Sequence, residues 1–433
     1  MKHIRTSPGR PDGPGRREFL GAAAAFAGLA GGLSPAFAAP GPSDADNEDA
    51  WAKIAAEYDV PEGVIQLENG NFGVMARSVR QTYADHIHRV NRDGSYYSRR
   101  LYGADYAAVR TRVAAALGVL PEEIIFTRGA TEALQILIGS YSGLKAGDGV
   151  LLADLDYDAM QTAMRWLKTR RGAEVFEINI PEPADYQGLI DTYVRALEAN
   201  PRIRLMLLTH VSHRTGLVMP VREITAEARR RGVDVILDSA HAWGQLDFRL
   251  PELGADFVGL NLHKWIGAPL GLGLMYVRQT RLPAIEPFMG EPDQDEPTIE
   301  ARVHTGTVNM AAILTVPAAL DVHERIGAPA KQARLRYLRS RWAENLRDYP
   351  GIDILTPPDM RLYAGITSFR RTGQTSLEEN AYIADMLLSR YGIFTVARAG
   401  VAAGACVRIT PALFTPASDM DRLREALRGL LRG

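Results

Sequence analysis

The sequence predicts an α/β fold: a mostly parallel, seven-stranded sheet covered by helices, with a smaller α+β domain beside it. Three observations carry that prediction. Seven short apolar runs recur between residues 123 and 277. Segments of helical spacing separate most of them, the arrangement that gives parallel strands buried on both faces. From residue 311 onward the pattern changes to two long helical stretches followed by short mixed elements, as expected of a second, smaller unit.

The elements follow in order. Trp51 to Tyr58 has helical spacing, and Gln66-Leu67-Glu68-Asn69-Gly70-Asn71-Phe72-Gly73 reads as a short strand entering a tight polar turn. Ser78 to Asp93 and Tyr106 to Leu117 are expected helices, the second stopped by Gly118. The alternation then starts. Strands are expected at Glu123–Thr127, Gly149–Ala153, Glu174–Asn179, Ile203–Thr209, Val233–Asp238, Phe257–Asn261 and Gly273–Val277. Helices are expected at Thr131–Tyr141, Asp158–Arg170, Gly188–Ala199 and Val221–Arg231. Arg281 to Thr298 is rich in proline and acids and reads as a loop, and Ala311–Ile326 and Ala330–Arg347 read as long helices. The expected division is an arm over 39–75 that joins the small domain, a large domain over 76–310 and a small domain over 311–433.

Composition narrows the class. The chain has 433 residues, 46% of them hydrophobic, enough for one large or two moderate cores. Its 50 basic and 51 acidic residues leave a net charge of −1, which gives no general attraction to nucleic acid or anionic membrane. Histidines are scattered without metal-ligand spacing, so no metal site is expected. The single cysteine, Cys406, excludes an intrachain disulfide.

The first 38 residues read as a leader. Arg16-Arg17-Glu18-Phe19-Leu20 precedes an uncharged stretch, Gly21 to Leu33, and Ala36-Phe37-Ala38 offers a small-residue cleavage site. Basic, apolar and small-residue regions in that order form a signal peptide. The paired arginines resemble a twin-arginine signal, which implies the Tat export machinery, cleavage after Ala38 and a periplasmic mature protein.

The chemistry is written at strand ends, where α/β sheets bind their ligands. Asp238 ends the run Val233 to Leu237 and opens Asp238-Ser239-Ala240-His241. Lys264 follows the next strand in Asn261-Leu262-His263-Lys264-Trp265. An acid at one strand end and a lysine past the next is what pyridoxal phosphate chemistry requires. The lysine holds the cofactor as a Schiff base, and the carboxylate keeps the pyridine nitrogen protonated. Upstream, Thr127-Arg128-Gly129-Ala130-Thr131-Glu132 passes from strand to helix, where free backbone amides can bind phosphate. Tyr157, at another strand end, could stack on a planar ring, and His210 or His213 could touch substrate or cofactor. Alone, each of these is as readily a cap, a core tyrosine or a satisfied histidine. Their order along one chain is the signal.

Across these segments the chain resembles the class V aminotransferase family, fold type I of the pyridoxal phosphate enzymes, and within it the branch that includes isopenicillin N epimerase. The motifs are Asn69 to Gly73, Thr127 to Glu132, Thr209 to Ser212, Leu237 to His241, Leu262 to Trp265, His304 to Thr307 and Val407 to Thr410. The resemblance implies roles by position. Lys264 and Asp238 are the catalytic pair. Ala130, Thr131 and His263 surround the phosphate, with Thr307 reaching it from a partner subunit of a homodimer. His241 lies near the phenolic oxygen and Tyr157 stacks on the ring. Arg408, Asn71 and His213 meet the substrate, Arg408 by a two-pronged carboxylate contact. Aminotransferase-type chemistry on an amino acid or peptide-linked amino acid is the expectation. The alternatives are an epimerase, a siderophore-tailoring enzyme of similar plan, or a non-catalytic binding protein on the same fold. Desulfurases of the family carry a cysteine in the loop that is here Arg398 to Gly404, which has none. Cys406 is expected to face the core instead.

Overall fold

The computed structural model describes residues 39–292 and 296–432. The leader therefore lies outside the described residues. The helices are α1 (Glu48–Ala55), α2 (Arg77–Arg100), α3 (Tyr102–Leu117), α4 (Ala130–Gly139), α5 (Asp158–Arg171), α6 (Tyr186–Ala199), α7 (Val221–Arg230), α8 (Met310–Ile326), α9 (Ala328–Ala343), α10 (Leu377–Tyr391) and α11 (Ala417–Arg432). The strands are β1 (Ile65–Gln66), β2 (Ile124–Thr127), β3 (Gly149–Ala153), β4 (Glu174–Ile178), β5 (Ile203–Thr209), β6 (Asp234–Ser239), β7 (Phe257–Asn261), β8 (Gly273–Val277), β9 (Ile352–Ile354), β10 (Thr367–Arg371), β11 (Ile393–Phe394), β12 (Val396–Arg398) and β13 (Cys406–Ile409).

The central sheet has seven strands in the order β2-β8-β7-β6-β5-β3-β4. Strands β3 to β7 pair in parallel, while β8 runs antiparallel to both β7 and β2. Successive residues of one strand feed opposite cores. In β6, Val235 and Leu237 join one hydrophobic cluster and Ile236 the other. That is why the strands read as continuous apolar runs rather than alternating ones.

Two boundaries differ from expectation for a physical reason. Helix α2 continues well past Asp93 to Arg100, through Gly94 at φ +51° and ψ −137°, where two helical segments meet at a kink only glycine tolerates. Helix α9 begins two residues early, at Ala328, with Pro329 in its first turn, where the missing N–H has no helical partner to lose.

A second sheet, β12-β13-β10-β9, is antiparallel and packs with α9, α10 and α11 around Trp342, Phe369 and Leu423. The arm is stitched to this part of the chain. β1 pairs in parallel with β11, and Glu68 bridges Thr410. The arm then crosses to the central sheet, where the Gly73 amide donates to the His263 carbonyl at 2.8 Å. A Cβ at Gly73 would fall 1.8 Å from the Lys264 carbonyl oxygen, so this approach requires glycine.

Candidate active site

A cavity of about 470 Å³ opens at the carboxyl ends of β5, β6 and β7 and the N-terminus of α4. Ten of the residues singled out by sequence line it: Asn71, Ala130, Thr131, Tyr157, His213, Asp238, His241, His263, Lys264 and Arg408. They come from segments as far apart as the arm and β13, so folding gathers what the sequence scatters. Thr307 does not line it. It lies exposed on the loop before α8. His210 is buried beside Ser239, its Nδ1 3.2 Å from the Ser239 hydroxyl, and does not line the cavity.

The floor is set by neighbouring strands. Asp238 pairs in register with Thr209 on β5 and Gly259 on β7. Among the described residues its carboxylate accepts one bond, from the Ala240 amide at 2.9 Å. Burial raises its pKa above the usual aspartate value, and the Ala240 bond and the Lys264 charge oppose that rise. A buried carboxylate so sparsely bonded is stabilised by a cationic N–H placed above it. Lys264 sits 2.9 Å from His241 through Nζ and Nε2. Burial lowers its ammonium to about 8, partly offset by Asp238. The pKa of His241 falls well below the usual value, first through burial and then through the Lys264 charge.

The far wall is the start of α4. The Asn261 side chain on β7 accepts the Ala130 amide at 2.8 Å and fixes the helix start. Gly129 precedes it, and Gly273 behind it is required because a Cβ there would lie 2.4 Å from the Gly129 Cα. With the Ala130 amide taken by Asn261 and the Ala133 amide by the Gly129 carbonyl, the Thr131 and Glu132 amides of the first turn are the ones left to face an anion. His263 donates from Nδ1 to the Leu272 carbonyl at 2.7 Å, and its ring edge lies beside Gly129. Cradle, half-buried amine and buried carboxylate together fit a planar, phosphorylated aldehyde with a basic ring nitrogen.

The mouth carries residues expected from sequence to meet substrate or cofactor, Tyr157, His213 and Arg408 among them. Tyr157 caps α5 and meets His213 edge to face, with ring centroids 5.2 Å apart. Burial and then the Arg214 charge hold the pKa of His213 well below its usual value. Arg408 is 1% exposed, and its guanidinium is already engaged. Nη1 donates to the His213 carbonyl at 2.7 Å, and Nη2 donates to both Glu68 oxygens at 2.5 and 2.7 Å. Arg398, on β12, also lines the cavity and reaches Glu68 at 3.4 Å. Gly70 presses against Arg408, since a Cβ there would lie 2.7 Å from Nη2.

Sequence reasoning missed several of these groups. Glu68 lies in the run Gln66 to Gly73, which reads as a strand entering a turn and assigns it no chemistry, and its partner lies 340 residues away. Arg398 was noted only as the start of a cysteine-free loop. Thr209 lines the cavity and donates to Asp156 at 2.7 Å, where burial pushes the Asp156 carboxyl up to about 7. A polar residue closing an apolar strand was the available signal for Thr209 and Asn261. Cys406 faces away into the core, 3.6 Å from the Arg214 carbonyl, with burial raising its thiol to about 11.

Comparison with known proteins agrees with this geometry. The family model for aminotransferase class V matches residues 73–423. The isopenicillin N epimerase of Streptomyces clavuligerus is 28% identical over 397 residues, covering 88% of this chain and 98% of that protein. A cysteine desulfurase of Cronobacter sakazakii is 29% identical over 410 residues, covering 88% and 93%. Among solved structures, the cysteine desulfurase CsdA of Escherichia coli superposes with a TM-score of 0.73 at 20% identity, over 88% of this chain and 98% of that one. The cystine C-S lyase C-DES, in complex with cysteine persulfide, gives 0.70 at 21%, over 84% and 97%. The fold is that of the fold type I enzymes, and the chain belongs to the aminotransferase class V family.

Proposed function

We propose that this protein is a periplasmic pyridoxal phosphate enzyme that acts at the α-carbon of an amino acid or a peptide-linked amino acid, with aminotransferase-type chemistry. The observation that carries the reading is the half-buried Lys264 amine, 2.9 Å from His241, near the buried Asp238 carboxylate at the adjacent strand end. The class V family uses pyridoxal phosphate, and a solved relative in fold carries it covalently linked to glycine. When bound, that cofactor supplies an electron sink for charge developing at the α-carbon.

This chain's residues do the rest. The Lys264 amine would hold the cofactor and, once free, would take or return the α-proton, its lowered pKa suiting a base near neutral pH. The Asp238 carboxylate would hold a proton on the ring nitrogen of the bound cofactor. The free amides of the first turn of α4, the Thr131 hydroxyl and His263 would hold the phosphate, and Tyr157 would stack on the ring. Thr307, exposed on its own subunit, would reach the phosphate of the other copy in a homodimer. Arg408 and Arg398 give the mouth its positive charge for a substrate carboxylate. Export by the twin-arginine route, with cleavage after Ala38, rests on the leader sequence.

Epimerisation is the second reading, favoured by the near full-length match to isopenicillin N epimerase. Desulfuration is disfavoured, because the one cysteine is buried away from the cavity. The test is incubation of the mature protein with candidate amines in heavy water, following α-proton exchange, keto-acid release and product chirality. Exchange with keto acid supports transamination, and exchange with inversion alone supports epimerisation. Absence of exchange with every amine, including peptide-linked ones, contradicts chemistry at the α-carbon.

A further inference from the structure

We infer that Trp265 is a positioning residue: its indole N–H fixes His241 in the tautomer that presents Nε2–H to the reacting lysine. The argument begins with what an indole can do. Its nitrogen donates and never accepts. Trp265 Nε1 lies 3.4 Å from His241 Nδ1, so Nδ1 must be the unprotonated nitrogen of a neutral ring. The ring is neutral because it is buried beside a lysine. The remaining proton therefore sits on Nε2, which lies 2.9 Å from Lys264 Nζ. Contact through that proton favours a neutral lysine amine, which can accept it, over an ammonium, which would set two donors face to face.

Trp265 is itself held from several sides. Lys331, buried beneath it, donates to the Trp265 carbonyl at 2.9 Å and lies 3.1 Å from His323. Gly244, at φ +90°, lets the chain pass the Trp265 backbone closely, where a Cβ would fall 2.6 Å from its carbonyl carbon. One residue earlier, the arm at Gly73 packs against the Lys264 carbonyl, and its amide donates to the His263 carbonyl at 2.8 Å. His241 is anchored as well, through the Gln245 side chain, which donates to its carbonyl at 2.7 Å. Indole and imidazole are thus presented to each other by two independently fixed backbones. Trp265 does not line the cavity, so any effect it has there runs through His241.

The test uses enzyme whose histidines are labelled with heavy nitrogen, with the His241 signal assigned by its loss in His241→Gln. Wild-type protein should show His241 Nδ1 unprotonated and Nε2 protonated, with or without cofactor bound. In Trp265→Phe the two tautomers should mix. A protonated Nδ1 in the wild type overturns the inference even if the variant fails to fold, and so does an unchanged tautomer in a folded variant. A second readout rests on the proposed function: the midpoint of the pH-dependent visible band of the holoenzyme should move up in Trp265→Phe, because a donor beside the phenolic oxygen has been loosened. An unmoved midpoint overturns the coupling to the lysine. A protein that binds no cofactor at all would defeat the functional reading, while the tautomer measurement would still decide this one.

Discussion

Replacing Arg408 with lysine separates the two jobs the structure gives that residue. The guanidinium makes three charged hydrogen bonds, one to the His213 carbonyl and two to Glu68, and is 1% exposed. A lysine keeps the charge but cannot span both acceptors, so two of the three bonds are lost. At about 1.5 kcal/mol for each charge-assisted bond, the loss is about 3 kcal/mol. Unfolding entropy of about 2.1 cal/mol/K per residue over roughly 390 residues gives about 0.8 kcal/mol/K, so Tm should fall by about 4 °C. Scanning calorimetry reads this directly. Glu68→Gln should cost a similar amount, and the double variant should be less damaged than the sum by at least about 1.5 kcal/mol, because the two residues share one contact. Substrate saturation on the same preparation reads the second job. If Arg408 also meets a substrate carboxylate, KM should rise by about tenfold or more while the visible spectrum stays intact. An unchanged Tm in Arg408→Lys, or strict additivity with Glu68→Gln, would refute the ion pair.

Other outcomes follow from the same geometry. Asp238→Asn should fold and lose turnover by a factor on the order of 100 or more, checked by steady-state kinetics. If Lys264 carries the cofactor, loading onto cofactor-free protein requires its neutral amine. Its pKa is lowered to about 8, so the loading rate should rise with pH and level off above that value, as stopped-flow absorbance would show. Gly73→Ala puts a methyl where the Lys264 carbonyl lies, and should reduce visible absorbance per protein by displacing the lysine segment. Changing Arg16-Arg17 to paired lysines should hold the precursor in the cytoplasm, as fractionation would reveal.

Much of the fold was legible because burial on both faces turns a strand into an apolar run. All seven central strands were placed within a residue or so of their observed bounds. Their directions were less legible. The run Gly273–Val277 is as apolar as its neighbours, yet β8 is antiparallel. The cue lay in the connection from β7, which holds no helix and is too short for a crossover. The site was legible where chemistry sits at strand ends, as with Asp238 and Lys264. It was not legible where a contact joins distant segments. Glu68 and Arg408 meet only because β1 adds beside β11 and the arm runs along Thr410. Trp265 and His241 are 24 positions apart, and the parallel pairing of β6 with β7 brings the turns that follow them together.

The central claim is that Lys264 carries the cofactor. Its most direct test is borohydride reduction of the purified protein, followed by peptide mapping of the fluorescent adduct. The account predicts a single pyridoxyl adduct on Lys264 and loss of the visible band in Lys264→Ala. An adduct on another lysine, such as Lys145 or Lys168, or a visible band that survives Lys264→Ala, would contradict it.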